Sequence, residues 1–358
     1  MNGLGKVRTG IVVFIVATLG IFILVAIGIF RGWGTHPTHS EESFFLAGTV
    51  NPDSLSVAIV SKQPSHPSEL WLVGTSGNTE KVVGQVFKRL GTPDWSPDGT
   101  RLVVEAESHE KGDSVWIIDI RSGEMITLVG PSPTTFYFRP LWNPQGDKIA
   151  YASIAFEPEK RNSIWVADVA SGRNPVCVAK GATTDIDLLA LAWSANSQQI
   201  YYYSHYRKAI MSIDICTGVT RAIPIPENLG SQPRIYPSPD GRLLLVCSEI
   251  PEEGTENVWI LRPNNGSAKP IPLVCGGTAA WSSDSTRFVL ELDPSAGGGL
   301  YVFDMTSDTG MRLTAEGMSD VVLRGRAWTS DDRIFYMKSR RQLMCIKEDG
   351  SGDIVLFP

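Results

Sequence analysis

Nine of the ten tryptophans fall into two positions of a repeat that recurs about every 45 residues, which sharply limits the possible folds. The first position belongs to a turn motif, Asp94-Trp95-Ser96-Pro97-Asp98-Gly99. The motif returns with anchors at Trp142, Trp193, Tyr236, Trp281 and Trp328, spaced 43 to 51 residues apart. Forty-five residues before Trp95, Val50-Asn51-Pro52-Asp53-Ser54 is a worn copy, which makes seven units. The second position follows each anchor by about 20 residues, at Trp71, Trp116, Trp165, Met211, Trp259, Tyr301 and Met344.

Each unit reads as four short strands. In unit two the first strand ends over Gly91 to Trp95, and Arg101 to Glu105 forms the second. Ser114 to Ile120 is the third and Met125 to Val129 the fourth. These runs are short, apolar and rich in β-branched residues. Ser96-Pro97-Asp98-Gly99 supplies a turn in which proline presets φ, aspartate bonds its own backbone and glycine accepts a left-handed conformation. A four-stranded sheet cannot bury both faces alone, so seven copies predict an all-β, seven-bladed β-propeller of four-stranded blades over residues 44–358. Tryptophans at fixed positions then serve as wedges between neighbouring blades. Pro358 follows the seventh unit directly, so no second domain is expected downstream.

The Trp-Ser-Pro-Asp-Gly turn is followed by an apolar strand and a Trp-x-x-Asp-x-x-(Ser/Thr)-Gly hairpin, as in Trp116 to Gly123 and Trp165 to Gly172. This pattern resembles the TolB-like or WD40-like propeller repeat, which is similar to the repeat of the non-catalytic domain of prolyl-oligopeptidase relatives. The resemblance covers residues 44–358 and implies the fold, because propellers host many unrelated activities. TolB itself has six blades and an extra N-terminal domain. Seven units without that domain do not imply a role in the Tol system.

Ile11 to Phe30 is a run of 20 uncharged, mostly apolar residues. At about 1.5 Å per residue it matches a hydrocarbon core of about 30 Å and predicts one N-terminal transmembrane helix. A cleaved signal peptide is the competing reading, supported by Lys6 and Arg8; its apolar region would be shorter and end in a small-x-small site. Lys6, Arg8 and the α-amino group place the short tail 1–10 inside and the propeller outside, with 31–43 as linker and Trp33 at the interface. The expected location is therefore a single-pass cell-membrane protein with an extracytoplasmic propeller.

A net charge of −6 without a basic stripe argues against a nucleic-acid partner. The cysteines, Cys177, Cys216, Cys247, Cys275 and Cys345, are scattered and form no Cys-x-x-Cys pair. His36 and His39 lie in the linker, and His66, His109 and His205 in loops between second and third strands; no metal site or cofactor is expected. No Gly-x-Ser-x-Gly elbow marks a nucleophile. The hairpin aspartates Asp119, Asp168, Asp214 and Asp304 recur at one turn position and read as turn-bonding residues rather than catalytic carboxylates.

One end of the ring carries uniform Ser-Pro-Asp-Gly and Ser-Gly turns. The other collects longer, individually different loops: 62–68, 107–113, 156–162, 204–208, 249–256 and 293–299. Irregular loops on a rigid scaffold are where binding resides. The candidate binding face is His109, Lys160, Arg161, His205, Tyr206, Arg207, Glu252 and Glu253. The expected function is a membrane-tethered binding or scaffold module for a protein or glycan partner, not an enzyme. The alternative is a lyase or hydrolase acting on a polysaccharide or small molecule in the central channel, which needs acid, base or metal ligands converging near the axis.

Overall fold

The structure, a computed structural model, describes residues 45–53, 56–62, 67–83, 86–109, 112–156, 160–170, 175–182, 185–187, 190–226, 229, 232–248, 257–318, 320–323, 327–339 and 341–357. All of them belong to one compact unit, Ser43–Pro358. The predicted membrane segment, the tail, the linker, His36, His39, His66, Glu252 and Glu253 lie outside the described residues. Among the described residues no helix is long and apolar enough to cross a membrane.

The strands form seven antiparallel sheets, each built from consecutive strands paired in chain order. Blade three is the most regular, with Thr135–Trp142, Lys148–Ala155, Arg161–Asp168 and Val176–Ala182. Blade two departs from the expected single first strand. Its inner strand is split into Arg89–Leu90 and Asp94–Trp95, both paired with Arg101–Ser108. Pro93 has no N–H to donate, so the ladder breaks there. The one helix among the described residues is a short 3-10 turn, Pro294–Ala296.

Alternation along each strand sends successive side chains to opposite neighbours. In blade one, Ala58 and Val60 pack towards blade two, whereas Val57 and Ile59 pack against blade seven. Leu102 and Val104 likewise face blade one while Val103 faces blade three. The core is thus a series of apolar seams between blades.

Tryptophans of the turn motif sit in these seams. Trp95, Trp142, Trp193, Trp281 and Trp328 are only 3–7% exposed. Trp95 donates its indole N–H to the carbonyl of Thr49 at 3.1 Å, Trp193 to Leu141 at 3.1 Å and Trp281 to Tyr236 at 2.9 Å. Each acceptor lies on the inner strand of the preceding blade, so the wedge also ties two blades together. Blade five corrects the expected alignment. Ser238 N bonds Leu243 O as Ser96 N bonds Arg101 O, which puts Pro237, not Tyr236, at the tryptophan position. Tyr236 instead donates its hydroxyl to Gly277 O at 2.8 Å. At the second repeat position Trp116 and Trp165 are only half-buried, donating to Ser114 Oγ and Ser153 Oγ.

Closure needs no strand exchange, because Ile354–Phe357 completes blade seven's own sheet. Val50 stands at the wedge position of blade one and has no side-chain N–H to offer. The seam between blades seven and one is apolar instead: Val50, Val57, Ile59 and Val73 share a cluster with Tyr336, Met344 and Leu356. Trp71 packs against Phe357 with ring centroids 6.3 Å apart.

Candidate functional site

The turns of the repeat are occupied with holding the ring. Ser96 Oγ donates to Asp98 Oδ1 and accepts from Arg101 N, while Asp98 Oδ1 accepts from Thr100 N. The hairpin aspartates behave as expected. Asp119 accepts from Arg121 N and Ser122 N, and Asp214 from Cys216 N and Thr217 N. Bonds from the Ser122 and Thr217 backbone N–H groups are the leading cause that holds these two carboxyls below their usual range.

At the opposite end, blades three and four bring candidate residues together. Arg161 opens the third strand of blade three and pairs with Ala182 at the end of the fourth. The chain then turns back through Asp185, Ile186 and Asp187, and Ile186 bridges to Ser204 in blade four. Asn162 donates its amide to Ile186 O at 3.0 Å, which locks this return to blade three. Asp185 Oδ1 accepts from Ser204 Oγ at 2.5 Å and from Tyr206 N at 3.2 Å. Ser204 Oγ in turn accepts from Arg207 N at 3.1 Å. The backbone beneath Tyr206 is therefore bonded on both sides.

Side chains above this frame point outward. Tyr206 is 87% exposed, and Arg161, Arg207 and Lys208 are also exposed. Lys160 is half-buried with its ammonium 5.8 Å from the centre of the Phe156 ring. His205 is exposed as well, but leans towards its neighbours: Nε2 lies 3.6 Å from Asp187 Oδ2, and its ring meets Tyr203 edge-on at 5.1 Å. His109 is exposed on the tight turn of blade two, apart from this group. Among the described residues no three His, Cys, Asp or Glu side chains gather as metal ligands would.

Residues at the start of the third strand were missed by sequence reasoning. Asp113, Asn162 and Asn257 occupy matching positions and each reaches the next blade's backbone, at Tyr137 N, Ile186 O and Cys275 respectively. Asp113 alone is charged. It is 1% exposed and faces Arg89 Nη2 at 3.3 Å. Burial pushes its carboxyl up to about 6, against the pull of Arg89 and with a further push from Glu107.

The axis holds a second feature that the loops did not suggest. A cavity of about 530 Å³ opens among the Ser-Pro-Asp-Gly turns and is walled by the inner strands. Deeper in, its lining includes Asp94, Glu105, Arg139 and Arg234. Arg139 sits on a bulge in the inner strand of blade three with φ 48, a left-handed conformation that costs a non-glycine residue strain. Glu105 reaches over Gly91, where a Cβ would lie 1.7 Å from Oε1. Glu291 of blade six accepts from Thr278 Oγ1 at 3.0 Å and lies along Gly276. Glycines opposite carboxylates on the inner strands are the one sequence signal that pointed here.

No protein-family model and no curated protein matches the chain. Solved structures do. TolB from Acinetobacter baumannii is 15% identical, over 80% of this chain and 67% of that one, with a TM-score of 0.52. An oligogalacturonate lyase in complex with manganese is 13% identical, over 88% and 90%, with a TM-score of 0.62. A prolyl endopeptidase is 13% identical with a TM-score of 0.63; the match covers 88% of this chain and only 50% of the peptidase. At such identities the likeness is one of fold. The chain has a TolB-like propeller fold, here with seven blades.

Proposed function

We propose that this chain is a membrane-tethered binding module that takes up a protein or glycan partner on the loop face of blades three and four. One observation carries the reading: Tyr206 stands 87% exposed on a backbone fixed from both sides by Asp185 and Ser204. A rigid, exposed tyrosine offers a large contact area at little entropic cost. Arg207 and Lys208 follow it directly and Arg161 opens the third strand of the neighbouring blade; these exposed cations, on a chain of net charge −6, suit carboxylate-bearing partners. The tether rests on the uncharged run Ile11 to Phe30, and its basic N-terminal flank favours an extracytoplasmic propeller. Replacing Lys160, Arg161, Tyr206 and Arg207 together by alanine is expected to weaken retention of the native partner while leaving thermal stability in place. Undiminished retention overturns the reading.

The axial cavity favours a second reading, an enzyme. Arg139 is held in a strained conformation in the wall of a cavity that Glu105 and Arg234 also line, and strain of this kind concentrates at functional sites. The oligogalacturonate lyase with the same fold suggests acidic glycans as trial substrates. An Arg139→Ala, Arg234→Ala chain that loses turnover of such a glycan would favour catalysis over binding.

A further inference from the structure

Two of the five cysteines meet across a seam. Cys247 ends the second strand of blade five, Leu244–Cys247, and Cys275 begins the inner strand of blade six, Cys275–Trp281. Both are buried, at 2% and 3% exposure, and both belong to the same apolar cluster between the blades. The Cys247 and Cys275 side chains interact across this seam.

Asn257 fixes the backbone on both sides of this contact. Its amide donates to Ser248 O, next to Cys247, at 2.6 Å and to Cys275 O at 3.0 Å, while its Oδ1 accepts from Cys275 N at 2.7 Å. A single side chain thus sets the approach of the two strands that carry the thiols. Arg234 pairs with Cys247 in the sheet register, and its guanidinium interacts electrostatically with both sulfurs. Against that cation, the Cys275 side chain and burial push the Cys247 thiol well up, so in the closed seam it stays protonated and the thiolate that attacks a disulfide forms only when the seam opens. The other thiols are placed differently: Cys177 and Cys216 are exposed, and Cys345 is buried in blade seven beside Arg333.

We propose that Cys247 and Cys275 are a cross-linking site, forming a disulfide between blades five and six when the chain meets a small-molecule disulfide such as oxidised glutathione. The thiolate of one cysteine attacks a glutathione sulfur, breaks the glutathione S–S bond and releases one glutathione thiolate, which takes up a proton. The second cysteine then attacks the mixed disulfide and releases the second glutathione. One protein S–S bond forms. The two cysteines lose two electrons and two protons, which leave on two glutathione thiols. Burial places the reaction during folding or transient opening of the seam, and afterwards shields the bond from reduction.

The bond would also touch the axial cavity. Gly277 N donates to Cys275 Sγ at 3.3 Å, and Gly277 O accepts from the hydroxyl of Tyr236, which lines that cavity. Oxidation therefore bears on the cavity wall as well as on the seam.

To test this, the full-length protein is equilibrated with oxidised and reduced glutathione at a denaturant concentration just below its unfolding midpoint. It is then quenched with iodoacetamide under denaturing conditions and digested for mass spectrometry. The expected product is one peptide pair joined through Cys247 and Cys275, two hydrogens lighter than the separate peptides, with the other three cysteines alkylated. Adding a phosphine reductant should lower Tm by on the order of 5 °C. A Cys275→Ala chain should lose that reductant-dependent shift. The mass measurement needs no variant, so it stands even where Cys275→Ala does not fold. Alkylation of both Cys247 and Cys275, or pairing of either with another cysteine, overturns the assignment.

Discussion

The hydroxyl of Ser285 accepts a hydrogen bond from the backbone N–H of Asp240, 3.1 Å away across the seam between blades five and six. Ser285 holds the place of the motif's glycine and keeps its left-handed backbone, with φ 63. Ser197 does the same for Gln145 N between blades three and four, also at 3.1 Å. Where glycine is retained it packs instead: a Cβ on Gly241 would meet the Cβ of Ala195 at 3.1 Å. The serine copies are thus working variants of the turn, exchanging conformational ease for a bond between blades.

This relationship predicts an inverted substitution order. Ser285→Ala loses the bond and keeps the strain, and should cost about 1–2 kcal/mol. Ser285→Gly loses the bond but relieves the strain, and should be close to neutral. Denaturant unfolding of the two variants decides it, with glycine expected to outlast alanine.

Indole bonds make a second comparison. Trp95→Phe removes the donor to Thr49 O and should cost about 1–3 kcal/mol. Trp142 is equally buried, but its Nε1 has no hydrogen-bond partner among the described residues, so Trp142→Phe should cost markedly less. Trp95→Ala should cost about 3–5 kcal/mol, since it empties the seam. Equal losses for the two phenylalanine variants would contradict the role given to the indole bond.

Asp113 should leave a pH signature. Its folded-state value, about 6, lies above the ordinary 3.8, so the folded chain takes up a proton that the unfolded chain does not as pH falls between those values. Its contribution to stability therefore improves on acidification through that window, and the ionised form costs up to about 3 kcal/mol above it. Asp113→Asn, matching Asn162 and Asn257, should raise the unfolding midpoint at pH 7.5, and the gain should fade towards pH 4. A variant less stable than the parent at pH 7.5 would show that the Arg89 pair outweighs burial.

For the proposed tether, full-length protein should stay with membranes through an alkaline wash, whereas a chain beginning at Glu42 should be soluble and folded. Aggregation of the shorter chain alongside a folded full-length protein would place part of 1–41 within the domain.

Much of the fold was legible because the repeat is local: Trp95 to Gly99 and Trp116 to Gly123 each form their own turn or hairpin. What escaped notice depends on contacts between units. Pro237 rather than Tyr236 takes the wedge position, and only the Ser238–Leu243 bond settles a shift of one residue between two plausible fits. Asp113 and Asn162 read as loop residues, and Asn257 as nothing in particular, until the next blade's backbone is seen against them. Glu105 and Arg139 reach the axis through radial packing, which no periodicity within one unit encodes. Of the candidate binding face, Arg161, His205, Tyr206 and Arg207 are exposed, and the contact of His205 with Asp187 could not be read from its loop position.

The most direct test of the binding face is site-specific photo-cross-linking in cells that hold the native partner. A photoreactive residue is placed at Tyr206 in one chain and at Gln145, exposed on the turn face of blade three, in another. The account predicts a discrete adduct from position 206 that disappears when Lys160, Arg161 and Arg207 are also replaced, and none from position 145. A discrete adduct from 145 with none from 206 would contradict it and move the binding site to the mouth of the axial cavity.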